Sequence, residues 1–265
     1  MTETPPKGNL GEGPQDEARI WRAGMVVIGD EILSGRTQDA NINYLARWLN
    51  TRGVAMAEAR IVSDDFDAIG EAVTALLDRY DYVFTTGGIG PTHDDITVEA
   101  ICRALKVEMI YHPDAVAILE GYYGIENMTD RRKLMARAPA GSKLIISKAT
   151  GAPGIQLDKL YIMAGIPSIM RAMLEGIGDT LEGGQPVVSR TVAAMTPESE
   201  AADVLEKLQT AHPTVSIGSY PLMRDGKIGA NFVVRSADSA LVDTVCEGLM
   251  EGLREAGIEP VDGEI

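Results

Sequence analysis

Apolar residues in this chain follow two rhythms, and their alternation predicts an architecture. The continuous run Met25-Val26-Val27-Ile28 stops at Gly29-Asp30, as a strand buried on both faces does where it meets a loop. Ile42, Leu45, Ala46 and Leu49 then recur at helical spacing up to Gly53, a residue suited to end a helix. A strand over 55–62, a helix carrying Ile69, Val73, Leu76 and Leu77 on one face, a strand over 82–86 and a helix over 97–105 follow. Repeated strand–helix units of this kind predict an α/β fold with a mostly parallel sheet covered on both faces.

The pattern continues with a helical stretch over 114–137, strands over 144–146 and 155–163, and a helix over 168–177. Leu181-Glu182-Gly183-Gly184-Gln185-Pro186 reads as a linker. Beyond it come a strand over 187–194, a helix over 198–211, a hairpin of 214–220 with 228–234, and a helix over 240–255. That β-α-β-β-α order predicts a small α+β sandwich. The expected division is a first domain over 21–180 and a second over 186–262. Residues 1–20, rich in Pro, Gly and Glu, lack the apolar residues to pack a core and are expected to be a disordered tail.

A length of 265 residues suits two domains, and 45% hydrophobic with 24% charged residues is an ordinary globular composition. The formal net charge of −15 repels nucleic-acid backbones and anionic membrane faces, so neither is an expected partner. An anionic small molecule stays possible, because backbone N–H groups and a bound cation can hold it whatever the net charge. Cys102 and Cys246 stand far apart without metal-ligand spacing and read as buried small hydrophobes. With no leader-like apolar segment at the N-terminus and no span-length apolar run, the expected location is the cytoplasm.

The candidate chemistry sits just after the predicted strands, where such sheets bind ligands. Thr85-Thr86-Gly87-Gly88-Ile89-Gly90-Pro91-Thr92-His93-Asp94-Asp95 follows the third strand. Its glycines permit a tight turn whose successive N–H groups form an anion nest. Paired carboxylates beside such a nest would repel a phosphate unless a cation lies between, so Asp94, Asp95 and Asp30 are candidate ligands of a divalent Mg²⁺, Mn²⁺ or Co²⁺ ion. Either loop aspartate can instead cap the following helix. His93 reads as a metal ligand, a general base or a solvated loop residue. Asp64-Asp65 follow the second strand, with Asp64 placed to orient a water or bind an ion. Gly29, Glu31, Ser34, Asn41, Thr86, Gly87, Gly88, Gly90, Pro91 and Thr92 are candidate ligand contacts, although Ser34 and Asn41 can equally cap helices. Thr150-Gly151-Ala152-Pro153-Gly154 and Gly165-Ile166-Pro167-Ser168 either wall the same pocket, through Gly154, Pro167 and Ser168, or only turn the chain.

Taken in order, Gly29-Asp30-Glu31, Ser34-Gly35, Asn41, Tyr44-Leu45-Ala46, Val62-Ser63-Asp64-Asp65 and the run from Thr85 to Thr97 resemble the molybdopterin-binding MogA/MoaB-like superfamily. The likeness is greatest to the N-terminal domain of the competence/damage-inducible CinA proteins, and it extends over residues 22–178. It implies a three-layer α/β/α fold that accommodates a nucleotide- or pterin-like molecule, and commonly a homo-oligomer, dimer or trimer. In the molybdenum-cofactor branch the positions matching Asp64 and Asp95 act in adenylyl transfer to molybdopterin. The CinA branch is associated instead with metal-dependent hydrolysis of dinucleotide pyrophosphates such as ADP-ribose or FAD, and the motifs favour that branch, with Asp64 and Asp95 as the catalytic pair. The resemblance also implies that the second domain is KH-like, and that the deamidase domain of CinA is absent. Ser147, Thr150, Ile155, Ala164 and Ile169 depart from the family's pattern, and Ile169 replaces a glutamate.

Overall fold

The computed structural model describes residues 21–147 and 151–265; the expected tail 1–20 and Thr150 lie outside the described residues. The first unit runs β1 (Trp21–Ile28), α1 (Asp30–Leu33), α2 (Asn41–Asn50), β2 (Val54–Val62), α3 (Phe66–Leu77), β3 (Tyr82–Thr86), α4 (Thr97–Leu105), β4 (Met109–Tyr111), α5 (Pro113–Tyr123), α6 (Asp130–Lys133), β5 (Arg137–Pro139), β6 (Lys143–Ile145), β7 (Gly154–Leu157), β8 (Leu160–Met163) and α7 (Pro167–Ile177).

Six of these strands form one sheet in the order β2-β1-β3-β8-β7-β6. The first four are parallel, but β7 runs antiparallel to both β8 and β6. The sheet is therefore mixed, and its single expected strand over 155–163 is a hairpin. The reversal falls at Asp158-Lys159, where Asp158 takes a left-handed φ of 52°, a conformation that Asp tolerates better than most residues. The expected helix over 114–137 is also broken: Gly124, at φ 85°, ends α5, and the Thr129 side chain restarts helix at α6 by accepting from Arg132 N–H.

The helices cover both faces of the sheet because both faces of its strands are apolar. On one side Leu45 and Leu49 of α2 meet Met170, Met173 and Leu174 of α7 over Met25, Val27, Phe84 and Tyr161. On the other, Ile69, Val73 and Leu76 of α3 meet Val98 and Ile101 of α4 over Val26, Val83 and Ile162. Cys102 lies in this second layer, where burial pushes its thiol up to about 11 and leaves it a packing residue. Chain order moves outward from β1 to β2 and then back past β1 to β3. The carboxyl ends of β1 and β3 therefore flank a switch point, the position where open α/β sheets form a crevice.

The second unit runs β9 (Val188–Ala194), α8 (Glu198–Ala211), β10 (Ser216–Arg224), β11 (Lys227–Ser236), α9 (Ser239–Glu255) and β12 (Pro260–Asp262). Its strands form a four-stranded antiparallel sheet, β10-β11-β9-β12. The edge strand β12 is too short to read from periodicity. Val242, Val245, Leu249 and Leu253 of α9 pack on Val192, Phe232 and Val234. Cys246 is buried in that core. No described helix is long and apolar enough to cross a membrane.

No residue of this C-terminal core belongs to the clusters on the first sheet. Phe232→Ala, which empties a fully buried site, is expected to cost the second unit about 3–5 kcal/mol. Urea denaturation should show an early loss of second-unit structure, while the Trp21 and Trp48 fluorescence of the first unit unfolds at its original midpoint.

Candidate functional site

The crevice is built from three loops at the carboxyl end of the sheet. After β1, Gly29 N–H donates to Val62 O at 3.1 Å. The Asp30 N–H then donates to the Asp64 carboxylate at 3.0 Å, joining the first and second strand ends. After β2, Asp65 caps α3, accepting from Asp67 and Ala68 N–H, so the two neighbouring aspartates divide into one cap and one open carboxylate. After β3, Gly87 N–H donates to Met163 O, and the loop returns to the sheet through Thr97, whose hydroxyl donates to Gly87 O at 2.9 Å and whose N–H donates to Gly88 O at 3.0 Å.

Two glycines in this loop are demanded by space. Gly87 has φ 103°, and a Cβ there would lie 2.1 Å from Ile28 O. Gly88 has φ 65°, and its Cβ would lie 2.1 Å from Thr97 Oγ1. No side chain fits either position without moving backbone or the Thr97 anchor. Gly90 is different, since the atoms a Cβ would meet are the Asp95 carboxylate oxygens.

Asp95 closes the loop from within. Its carboxylate accepts from Gly90 N–H and Thr92 N–H, each at 2.7 Å, and from the Thr92 hydroxyl. Two of the amides expected to form the anion nest are thus turned onto a carboxylate of the chain. Neither Asp94 nor Asp95 caps α4, whose N-cap is Ile96 without a side-chain bond. Arg137, from β5, donates through Nη2 to Asp95 O at 2.6 Å and through Nε to Leu134 O. The segment carrying α5 and α6 is thereby tied to the glycine loop.

The structure brings Asp30, Glu31, Ser34, Asp64 and Asp94 to one cleft of about 630 Å³, which Arg36, Asp65, Phe66, His93 and Ile96 complete. Asp64 responds to that company. Burial first, and then repulsion from Asp30, Glu31 and Asp94, raise its carboxyl above the usual range against the lowering bond from Asp30 N–H. Asp94 moves the other way, held below the usual range by hydrogen bonding within the loop, with His93 adding a smaller attraction. The His93 imidazole is 95% exposed, 3.8 Å from the Asp94 carboxylate.

Beside this cleft a smaller pocket of about 60 Å³ opens between Glu31, Asp39, Asn41, Thr86, Gly165 and Pro167. Glu31 lines both. Asn41 is 4% exposed and Thr86 1%. The Asn41 Nδ2 donates to Gly165 O at 2.8 Å, but Asn41 Oδ1 and Thr86 Oγ1 have no partner among the described residues. Buried polar atoms without partners are costly, and here they mark a place for a polar guest. Pro91 flanks the loop half-buried, whereas Gly154 packs against Met173, Ile162 and Ile145, and Ser168 lies exposed on α7; neither lines either cavity.

Among the described residues no group of three or more Asp, Glu, His or Cys side chains converges tightly enough to hold a metal ion. The all-oxygen donors Asp30, Asp64 and Asp94 suit instead a hard divalent cation held by one or two carboxylates, with waters completing its shell. Arg36 was not singled out by sequence, although its place directly after Ser34-Gly35 was the available signal. Nothing in the sequence pointed to Arg137.

Acidic and glycine-rich loops at the switch point of an open α/β sheet define a crevice protein of the α/β class. Within that class, residues 24–183 match the model of the "probable molybdopterin binding domain", and the chain belongs to this family. Residues 186–262 match the model described as "FAD synthase, middle domain". A CinA-like protein of Desulfosudis oleivorans is 32% identical over 74% of this chain, a match that spans only 51% of that protein. A protein of Aeropyrum pernix is 31% identical over 95% of this chain and 97% of its own length. The crystal structure of CinA from Thermoplasma acidophilum, titled as a protein of unknown function, superposes with a TM-score of 0.57 at 32% identity, covering 60% of this chain and 96% of that one.

The upward shift of Asp64 has a sign that can be measured. A carboxyl whose folded pKa lies above its unfolded value weakens folding at every pH above that folded value, and the penalty vanishes below the unfolded one. Asp64→Asn, which keeps an oxygen to accept from Asp30 N–H, is expected to raise the thermal midpoint at pH 7, with the gain fading as pH falls through the carboxylate range. An unchanged or lowered midpoint at pH 7 would show that Asp64 is not electrostatically crowded.

Proposed function

We propose that this chain is a divalent-cation-dependent pyrophosphatase acting on a dinucleotide of the ADP-ribose or FAD type. The observation that carries the reading is the meeting of Asp30, Asp64 and Asp94 in one cleft beside a glycine loop, with Arg36 as the facing cation. The match of the second unit to a domain of FAD synthase adds support from the nucleotide side. A bound divalent ion would neutralise the diphosphate and lower the pKa of a coordinated water.

In this proposal the protein's own groups do the positioning. Asp30 and Asp94, which line the cleft, would hold the ion, and Arg36 would pair with a phosphate oxygen. Asp64, with its raised affinity for a proton, accepts the proton of the attacking water. The water oxygen bonds to one phosphorus as the bridging P–O bond breaks, giving AMP and the second phosphate ester. Asp95 shapes the loop through its three donors, so its contribution is to hold the turn from Gly90 to Thr92 in place. The KH-like character of the second unit is likewise part of the proposal, supported by its β-α-β-β-α order.

A second reading, a molybdopterin-binding protein without turnover, is favoured by the unpartnered Asn41 Oδ1 and Thr86 Oγ1 in the small pocket and by the family match. Release of AMP from ADP-ribose or FAD separates the two. With Mg²⁺, Mn²⁺ or Co²⁺ the protein is expected to turn over, to stop on addition of EDTA, and to lose about a hundredfold in kcat in Asp64→Asn. No AMP with any of the three ions, together with pterin fluorescence that co-purifies with the protein, would replace the first reading by the second.

A further inference from the structure

A recess of about 390 Å³ lies along the outer face of α2, lined by Ala40, Asn43, Tyr44, Arg47, Trp48 and Thr51, with Arg171 of α7 closing it. The α2 residues recur at three- and four-residue spacing and so share one face of the helix. Its charge is opposite in sign to that of the protein as a whole. The protein carries 39 acidic against 24 basic residues, yet no carboxylate lines this recess. Arg47 and Arg171 are exposed and have no ion-pair partner among the described residues.

The two aromatic residues, Tyr44 and Trp48, are half-buried, each beneath an arginine. The Arg171 guanidinium sits 4.6 Å from the Tyr44 ring centroid, and that of Arg52 sits 3.9 Å from the Trp48 ring. Each ring is therefore held in place by a cation–π contact. Arg52 spends its N–H groups on Gly178 O, Trp48 O and Thr51 Oγ1, whereas Arg47 and Arg171 are the guanidinium groups placed to meet an anion. Fixed aromatic surface beside unpaired guanidinium groups is the combination that recognises a planar heterocycle bearing a phosphate.

We propose that the recess is a second ligand site, which takes a nucleoside monophosphate with its heterocycle against Trp48 and Tyr44 and its phosphate on Arg47 and Arg171. It shares no lining residue with the acidic cleft, and only Ala40 with the small polar pocket. Binding here needs no metal ion, because the counter-charge is supplied by the chain.

Trp21 and Trp48 are the only tryptophans in the chain, so Trp21→Phe leaves Trp48 as the sole reporter. In EDTA, which removes any contribution from a cation in the acidic cleft, AMP is expected to change Trp48 fluorescence saturably. Calorimetry on the unmodified protein should give the same affinity. Arg47→Ala with Arg171→Ala, both at exposed positions, should weaken binding at least about tenfold, as loss of two charge-assisted contacts requires. Asp64→Asn should leave it unchanged, which separates this site from the proposed catalytic one. Adenosine and inorganic phosphate should each bind at least about tenfold more weakly than AMP. No saturable signal up to about 1 mM AMP, or a signal that survives loss of both arginines, would overturn the proposal. So would inorganic phosphate binding as tightly as AMP.

Discussion

The backbone of Gly87 passes so close to Ile28 O at the end of β1 that no side chain can stand between them, and much of the site depends on that approach. Because β1 and β3 are neighbours at the switch point, their two following loops leave the sheet side by side. Thr97 then locks the glycine loop from the other end, through its N–H and hydroxyl on the carbonyls of Gly88 and Gly87. A turn fixed at both ends brings His93 and Asp94 to the cleft. Asp95 and the guanidinium of Arg137 complete the brace.

What that brace creates is electrostatically unfavourable in isolation. Asp30, Glu31, Asp64 and Asp94 share one cleft with a single arginine, and the raised pKa of Asp64 is the direct expression of their repulsion added to its burial. Structures keep such crowding where it serves a bound group, since perturbed carboxylates gather at functional sites. The unpartnered oxygens of Asn41 and Thr86 in the adjoining pocket are a second expression of the same condition. Both features are the ones on which the proposed function rests. The aromatic recess on α2 differs in kind: its lining carries Arg47 and Arg171 and no carboxylate, and its rings are held by guanidinium contacts.

Much of this was legible in the chain. The run Met25–Ile28 marks β1, which begins four residues earlier at Trp21, and Tyr82–Thr86, Thr97–Leu105 and Glu198–Ala211 lie where periodicity expects them. The family followed from the same segment that forms the glycine loop, because glycines and acids at fixed spacing record backbone constraints directly. Where reading failed, the cause was a competing local signal. The apolar stretch 155–163 hides a reversal at Asp158-Lys159 that changes a parallel sheet into a mixed one, and the helical rhythm over 114–137 conceals the break at Gly124.

The identity of the strands, the positions where glycine is obligatory and the collection of acids at strand ends were determined by the sequence itself, because each reflects chemistry between residues close in the chain. Only the tertiary structure decided which of those acids remain open. Asp65 is consumed as a helix cap and Asp95 by its own loop, while Asp30, Asp64 and Asp94 face a common cleft. It also decided that Asn41 would reach Gly165, 124 positions away, and that Arg137 would reach Asp95. The physical reason is that a carboxylate or guanidinium has several donors or acceptors within reach of a flexible side chain, and which of them it meets is settled by how distant segments pack.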